Sequence, residues 1–355
     1  MMRIAYVINS VEGGGAASPV PAILGVLRDG GAEVAVFALT ARDRRGETAM
    51  RAAGLDVFVR DGGETDHVAA FRWLDTALRD WAPTHLWTSL TRATLIGQIV
   101  GARRGWPVVS WQHAAFLKPA NRLLLRATQR RSRLWVGDSA AVTQMTADRL
   151  RVPPERLVQW SIFRADPAAP QATPWRSGEP VRIGSLGRLH RVKGYDVLIA
   201  ALALVETTTP FEVAVAGDGA ERRALEAQAL ALGVPIRFGG YATDPARFLA
   251  GCHLYVQPSR SEGLCVAAHE AMQAGLPVVA SAVGELPGSI VEGETGALAP
   301  PDDPIALAAA LSRLLARPDA LATIGQAARA RVIERFGPEQ FSATGRAILD
   351  RMRGF

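Results

Sequence analysis

The stretch Val181-Arg182-Ile183-Gly184-Ser185-Leu186-Gly187-Arg188-Leu189-His190-Arg191-Val192-Lys193-Gly194 decides how the chain folds. Its first six residues are a short, apolar, β-rich run, and Tyr195 to Val205 beyond it has helical spacing. Between them Arg188 and Lys193 stand five residues apart on a glycine-flanked strand-to-helix turn. Such a turn aims backbone N–H groups and the positive end of a helix dipole at one point, where phosphate is favoured. Arginine offers phosphate a planar fork, lysine a point charge. Solvated surface cations are the competing reading, and the glycines and the turn argue against it. Further along comes Glu262-Gly263-Leu264-Cys265-Val266-Ala267-Ala268-His269-Glu270, two glutamates with seven residues between them. Together the two segments imply a diphosphate gripped by Arg and Lys, and a sugar or ribose held by carboxylates.

The strand–turn–helix unit recurs on both sides of this stretch. Strands are expected at 3–8, 33–39, 55–59, 85–88, 107–110 and 134–137, then at 181–186, 211–216, 235–238, 253–257 and 277–280. Most are followed by Gly, Pro, Asp or Ser and then by helical spacing. This is the pattern of parallel sheets covered on both faces. It halts at Pro167-Ala168-Ala169-Pro170-Gln171-Ala172-Thr173-Pro174, which reads as an interdomain linker. The expected fold class is α/β, two doubly wound Rossmann-like domains facing a cleft, spanning 1–165 and 166–337, with a further helix in 338–355. Ligands in such sheets bind beyond the carboxyl ends of the strands.

The composition is that of a globular chain of two domains, with 355 residues, 48% hydrophobic and 21% charged. Its two cysteines, Cys252 and Cys265, have no metal-ligand spacing and form no disulfide framework. His253 and His269 lack ligand partners at useful spacing, so no metal is expected. The N-terminal run Met1 to Asn9 reads as a buried strand rather than a signal peptide, and no stretch reaches the ~20 apolar residues that span a bilayer. A cytoplasmic setting is expected. The net charge of +6 is uneven: residues 1–165 carry 22 Lys and Arg against 14 Asp and Glu, residues 166–355 carry 18 against 20. Residues 81–137 hold nine cations and no acid. Within them, Lys118 to Arg133 places Arg122, Arg126 and Arg130 at i, i+4 and i+8, hence on one helix face, beside Leu123, Leu124 and Leu125. A solvated basic face and peripheral contact with an anionic membrane through 118–133 are both open readings. Nucleic acid is disfavoured, because the basic stretch lacks interleaved aromatics for base stacking.

Three smaller features complete the candidates. Gly13-Gly14-Gly15 follows the first strand and precedes a helix expected from about Ala17; it is either a tight turn or a close approach to phosphate. His113 ends the strand in Val108-Val109-Ser110-Trp111-Gln112-His113, where a structural and a catalytic role are both open. Glu262 and Glu270 could form a glycosidase acid/base pair. One in a loop and one about two turns into a helix better suits separate binding tasks, with the N–H groups of Leu264 to Val266 as extra diphosphate donors.

Residues 181–300 closely resemble the retaining, nucleotide-sugar-dependent glycosyltransferases of family 4, which have the two-domain GT-B fold. The resemblance runs through Gly187-Arg188-Leu189, Lys193-Gly194, Val215-Ala216-Gly217-Asp218-Gly219, Phe238-Gly239-Gly240-Tyr241 and Tyr255-Val256-Gln257-Pro258-Ser259. It continues through Glu262 to Glu270, Ala271 to Ala280 and Glu294-Thr295-Gly296. The first half is looser, resting on the early glycines, His113 and Val136-Gly137-Asp138-Ser139.

The resemblance implies that Arg188 and Lys193 hold the donor diphosphate without a metal or other cofactor. Glu262 meets the transferred sugar, Glu270 the ribose, and the backbone at Gly240 and Tyr241 the base. Gly187, Gly263, Leu264, Cys265 and Val266 complete the donor site, Gly14 and Gly15 approach the phosphates from the first domain, and His113 lies beside the sugar. It implies an acceptor-binding first domain and a final helix, about 338–352, crossing back to it. Cys265 departs from a common Gly, as do Glu285 from a second Gly and Gly288 from a common acid. The segment Gln159 to Arg164 lacks the usual Asn-Gly turn.

The implied function is transfer of a hexose from a nucleoside diphosphate sugar, UDP-linked by base rate, to a glycolipid, polysaccharide precursor or other glycan acceptor. Cell-envelope polysaccharide synthesis at the inner face of a membrane is the setting it suggests. A nucleotide-sugar epimerase of the same architecture, with Glu285 as an acid/base group, and a degenerate non-catalytic partner protein are the alternatives.

Overall fold

The computed structural model describes residues 1–113 and 116–355. It divides into two compact units, Met1–Arg164 with Pro338–Phe355, and Ala165–Gly337. In the first, strands β1 (Arg3–Ser10), β2 (Glu33–Thr40), β3 (Asp56–Val59), β4 (His85–Ser89), β5 (Val108–Gln112), β6 (Leu134–Gly137) and β7 (Leu157–Gln159) alternate with helices. The helices are α1 (Val20–Asp29), α2 (Arg45–Ala52), α3 (His67–Trp81), α4 (Thr91–Arg104), α5 (Pro119–Thr128) and α6 (Ala140–Leu150). The strands form one parallel sheet in the order β3-β2-β1-β4-β5-β6-β7. Ile4 to Ile8 are wholly buried, as a strand covered on both faces must be.

The second unit repeats the plan with β8 (Val181–Leu186), β9 (Phe211–Ala216), β10 (Ile236–Phe238), β11 (Leu254–Gln257), β12 (Val278–Ser281) and β13 (Gly296–Ala299). Its helices are α7 (Tyr195–Leu202), α8 (Arg222–Leu232), α9 (Pro245–Ala250), α10 (Val266–Gln273), α11 (Leu286–Ser289), α12 (Pro304–Leu315) and α13 (Leu321–Phe336). All its strand pairs are parallel, in the order β10-β9-β8-β11-β12-β13. Each sheet reverses its winding once, between β1 and β4 and between β8 and β11. A ligand crevice opens at such a switch point, outside the carboxyl ends of the strands.

The last helix, α14 (Pro338–Met352), groups with the first unit. The buried Trp160 stacks on Trp111 with ring centroids 5.0 Å apart, and its indole N–H donates to the Phe341 carbonyl at 2.9 Å. At the other end of the helix, the His85 ring meets the Met352 carbonyl at 3.0 Å.

Four sequence expectations need correction. The helix expected from Ala17 starts at Val20, because Pro19 and Pro21 fit the entry to a helix but end any earlier turn. The helix of the basic segment stops at Thr128; Gln129–Arg131 tightens into a 3-10 turn, so only Arg122 and Arg126 share a regular helix face. The Pro/Ala run at 167–174 is no free linker, since Ala172 N–H donates to Ala274 O at 2.7 Å and Thr173 N–H to Ala250 O at 3.2 Å. Finally, β7 and β13 were not anticipated. Both are short edge strands, and β13 is Gly-Ala-Leu-Ala, a composition of weak β propensity.

Candidate functional site

The two motif segments lie on the loops that bound the β8/β11 switch point. Gly187 to Gly194 leaves β8, and Pro258 to Cys265 leaves β11 and runs into α10. The loops are pressed together: Arg260 N–H donates to Val192 O at 2.8 Å. At Gly194, where φ is +67°, a Cβ would lie 2.0 Å from the Pro258 carbonyl oxygen. No other residue fits there without moving backbone.

This contact brings Lys193 and Glu262 together. Lys193 Nζ donates to Glu262 Oε1 at 2.7 Å. The same oxygen accepts from Ser259 Oγ at 2.6 Å and from Gln257 Nε2 at 3.3 Å, and Tyr255 Oη backs Gln257 at 2.7 Å. Burial works against the Lys193 charge, but the attraction of Glu262 and its neighbours outweighs it and raises the ammonium above its ordinary pKa. The lysine is thus kept charged and the pair is fixed in place. These three bonds all reach Oε1, and the buried Cys265 thiol also meets the Glu262 carboxyl.

Glu270 has the opposite surroundings. It is half-buried in the second turn of α10 and, among the described residues, its carboxyl takes part in no hydrogen bond or ion pair. Burial alone pushes its carboxyl up to about 7. A desolvated carboxyl without a protein partner marks a place kept for a ligand.

Arg188 is exposed on the loop that carries Lys193. Gly263, Leu264 and Cys265 lead into α10, and Val266 is its first residue, so these backbone N–H groups fall at a helix start. Cys265 is buried in the left-handed region at φ 68°, the conformation glycine enters most readily. Gly240 follows β10 at φ 78° and bridges to Gly217; Tyr241 beside it is 44% exposed.

The remaining candidates belong to the first unit. Gly14 and Gly15 have φ of 87° and 51°, with no atom within 4 Å of where a Cβ would stand. They lie on the loop after β1, beside that sheet's own switch point. His113 follows β5. Its Nε2 meets Ser89 Oγ at 2.7 Å, and its Nδ1 lies 3.5 Å from Asp138 Oδ2. The ring is thus hydrogen-bonded through Nε2, while its buried Nδ1 has the Asp138 carboxylate nearby without a hydrogen bond.

Two residues were not foreseen as parts of the site. Arg260 binds Asp196 of α7 through two bonds of 2.8 and 2.6 Å, Asp302 at 2.5 Å, and the Arg191 carbonyl at 2.6 Å. It clamps the loop of Glu262 to the loop of Lys193. Its partners are 42 to 69 residues away, so no local spacing betrays it. Gly284 is the other: at φ +58° its missing side chain lets Gly263 O come within 2.4 Å of the Cβ position. The neighbouring Glu285 is buried and paired with Arg335 at 2.7 Å. It serves as a structural anchor to α13, which removes the basis for an epimerase acid/base role.

Comparison with known proteins bears on this arrangement. The fold is GT-B: the chain superposes on Anabaena HepE in complex with UDP-glucose with a TM-score of 0.86 at 21% identity, covering 99% of this chain and 100% of that one. It likewise superposes on sucrose-phosphate synthase of Thermosynechococcus elongatus, with a TM-score of 0.81 at 20% identity and full coverage of both. Residues 169–331, nearly all of the second unit, match the family model of glycosyl transferases group 1. The chain is 35% identical over 149 residues to a D-inositol 3-phosphate glycosyltransferase of Corynebacterium urealyticum, covering 39% of this chain and 35% of that one. It is 34% identical over 182 residues to a glycogen synthase of Mycobacterium tuberculosis, covering 49% and 44%. The chain thus spans well under two thirds of the length of these curated relatives. These findings support a glycosyltransferase.

Proposed function

We propose that the protein is a retaining, metal-independent hexosyltransferase that uses a nucleoside diphosphate sugar, UDP-linked, and a glycan or lipid-linked acceptor. The observation that carries the reading is the pairing of a fixed Lys193–Glu262 ion pair with an unpartnered Glu270 at one switch point. Cleaving the bond to the sugar puts negative charge on the departing diphosphate. Arg188, Lys193 and the N–H groups at the start of α10 offer preorganised positive charge to it, and one such contact lowers a barrier by about 3 kcal/mol. Glu270, once ionised, accepts both hydroxyls of a ribose, while Glu262 Oε2 accepts from hydroxyls of the sugar. Gly240 and Tyr241 face the base, and Gly14, Gly15 and His113 are the first unit's own candidates for phosphate and sugar. The UDP assignment draws on HepE, whose structure holds UDP-glucose.

A panel of UDP-, GDP-, ADP- and dTDP-sugars, incubated with the protein and chelator, tests the proposal. Slow release of free sugar and nucleoside diphosphate from one donor is the expected result. An epimerised nucleotide sugar formed without any acceptor, or no turnover of any donor, would overturn it.

A further inference from the structure

α5 turns an apolar strip to solvent. Leu125 is its inward residue, with no exposed surface. At about 100° per residue, Ala120, Leu123 and Ala127 fall on the opposite side. Leu123 is 69% exposed and Leu124 50%, and Phe116 just ahead of the helix is 60% exposed. Lys118 just ahead of the helix, Arg122 and Arg126 on it, and Arg130, Arg131 and Arg133 after it are all exposed. None of the six pairs with an acid among the described residues. The helix packed beside them, α6, has a single acid, Asp148, which accepts from Gln144 at 2.9 Å.

An apolar ridge on α5, with unneutralised cations on it and on the segments either side, calls for a surface that is apolar beneath and anionic above. A second copy of this chain does not fit, because six cations would face six cations. Nucleic acid supplies the charge but nothing for the leucines. A bilayer with anionic headgroups supplies both, with leucines entering the headgroup–acyl boundary and arginines meeting lipid phosphates. We propose that residues 116–133, centred on α5, dock the protein on an anionic lipid bilayer. No helix of the described residues is long and apolar enough to cross one. The inference does not depend on the proposed reaction.

The test is co-sedimentation of the full chain with vesicles of phosphatidylcholine alone and with vesicles containing phosphatidylglycerol. Binding to the anionic vesicles only, lost near ~0.5 M salt, is expected. The triple substitution R122Q/R126Q/R130Q should weaken binding roughly a hundredfold, about fivefold per arginine. R122K/R126K/R130K should stay within a few-fold, because the bilayer needs charge rather than fork geometry. L123S/L124S should lose about tenfold while melting like the wild type, both side chains being exposed. Equal binding to neutral vesicles, no binding to either, or normal binding by the glutamine and serine variants would overturn the proposal. So would self-association in solution that L123S/L124S abolishes, since it would make the strip a contact between copies.

Discussion

The first unit's sheet runs β3-β2-β1-β4-β5-β6-β7 and the second's β10-β9-β8-β11-β12-β13, so each places one strand reversal at its centre. The loops at the two reversals differ in kind. Those of the second unit carry Lys193 and Glu262 and lead into the helix of Glu270, and residues 169–331 match a family model. Those of the first carry open glycines and a histidine bonded to Ser89, with Asp138 near its other nitrogen. The same backbone plan thus supplies a charged, close-packed ligand site in one unit and a sparser one in the other. Topology fixes where a site forms; loop side chains fix what it does. On the proposed function, the charged groups that hold the donor belong to the second unit, and acceptor binding would fall to the first.

The largest expected effect separates the units directly. Lys193→Ala should cut donor turnover by about a hundredfold or more and weaken nucleotide binding. His113→Ala should lower turnover while leaving nucleoside diphosphate affinity within a few-fold. Loss of nucleotide binding in His113→Ala, measured by calorimetry, would break the division.

Next comes the pH response of Glu270. Its carboxyl titrates at about 7 against an ordinary value of 4.5. If the ionised form binds ribose, nucleotide affinity should rise roughly tenfold from pH 6 to pH 8 and level off above. Stability runs the other way. The folded state holds this proton more tightly than the unfolded chain, so the contribution is full below about pH 4.5 and is lost as pH rises through about 7. Glu270→Gln should remove that slope and stabilise the protein at pH 8 by on the order of 2 kcal/mol, allowing for solvent screening. Chemical denaturation at pH 5 and pH 8 measures it.

Arg260 should show a smaller, positional effect. Arg260→Ala should lower kcat about tenfold through a loosened Lys193–Glu262 pair, and Arg260→Lys should recover only part of it, because a lysine cannot form the two-bond fork to Asp196. An unchanged kcat would mean that the loops hold their register without the clamp. Cys265→Gly should matter least for stability, within about 1 kcal/mol, because relief of a left-handed backbone offsets the lost packing of the thiol. A change in donor KM with little change in kcat would tie this side chain to the sugar pocket.

Much of this was legible in the chain. The strand at 181–186 matches β8 residue for residue, because its β-branched and apolar Val181, Ile183 and Leu186 are buried and Gly187 ends the run. The two switch-point loops were legible because glycines, cations and acids cluster locally in them. What escaped was set by tertiary contact. Arg260 and Gly284 owe their places to backbone and acids brought near only by the fold. The 167–174 run looked like a tether because proline and alanine suit a linker, yet its N–H groups found acceptors on the second unit. The basic segment was legible as charge, but its outward leucines became evident only once Leu125 was seen to face inward.

The most direct measurement is calorimetric titration of UDP into the wild type, Lys193→Ala and Glu270→Gln at pH 8. The account predicts one site per chain in the wild type, with affinity lowered about tenfold or more in each variant. Absence of UDP binding, or binding that neither substitution weakens, would contradict the assignment of the donor site to the β8/β11 switch point.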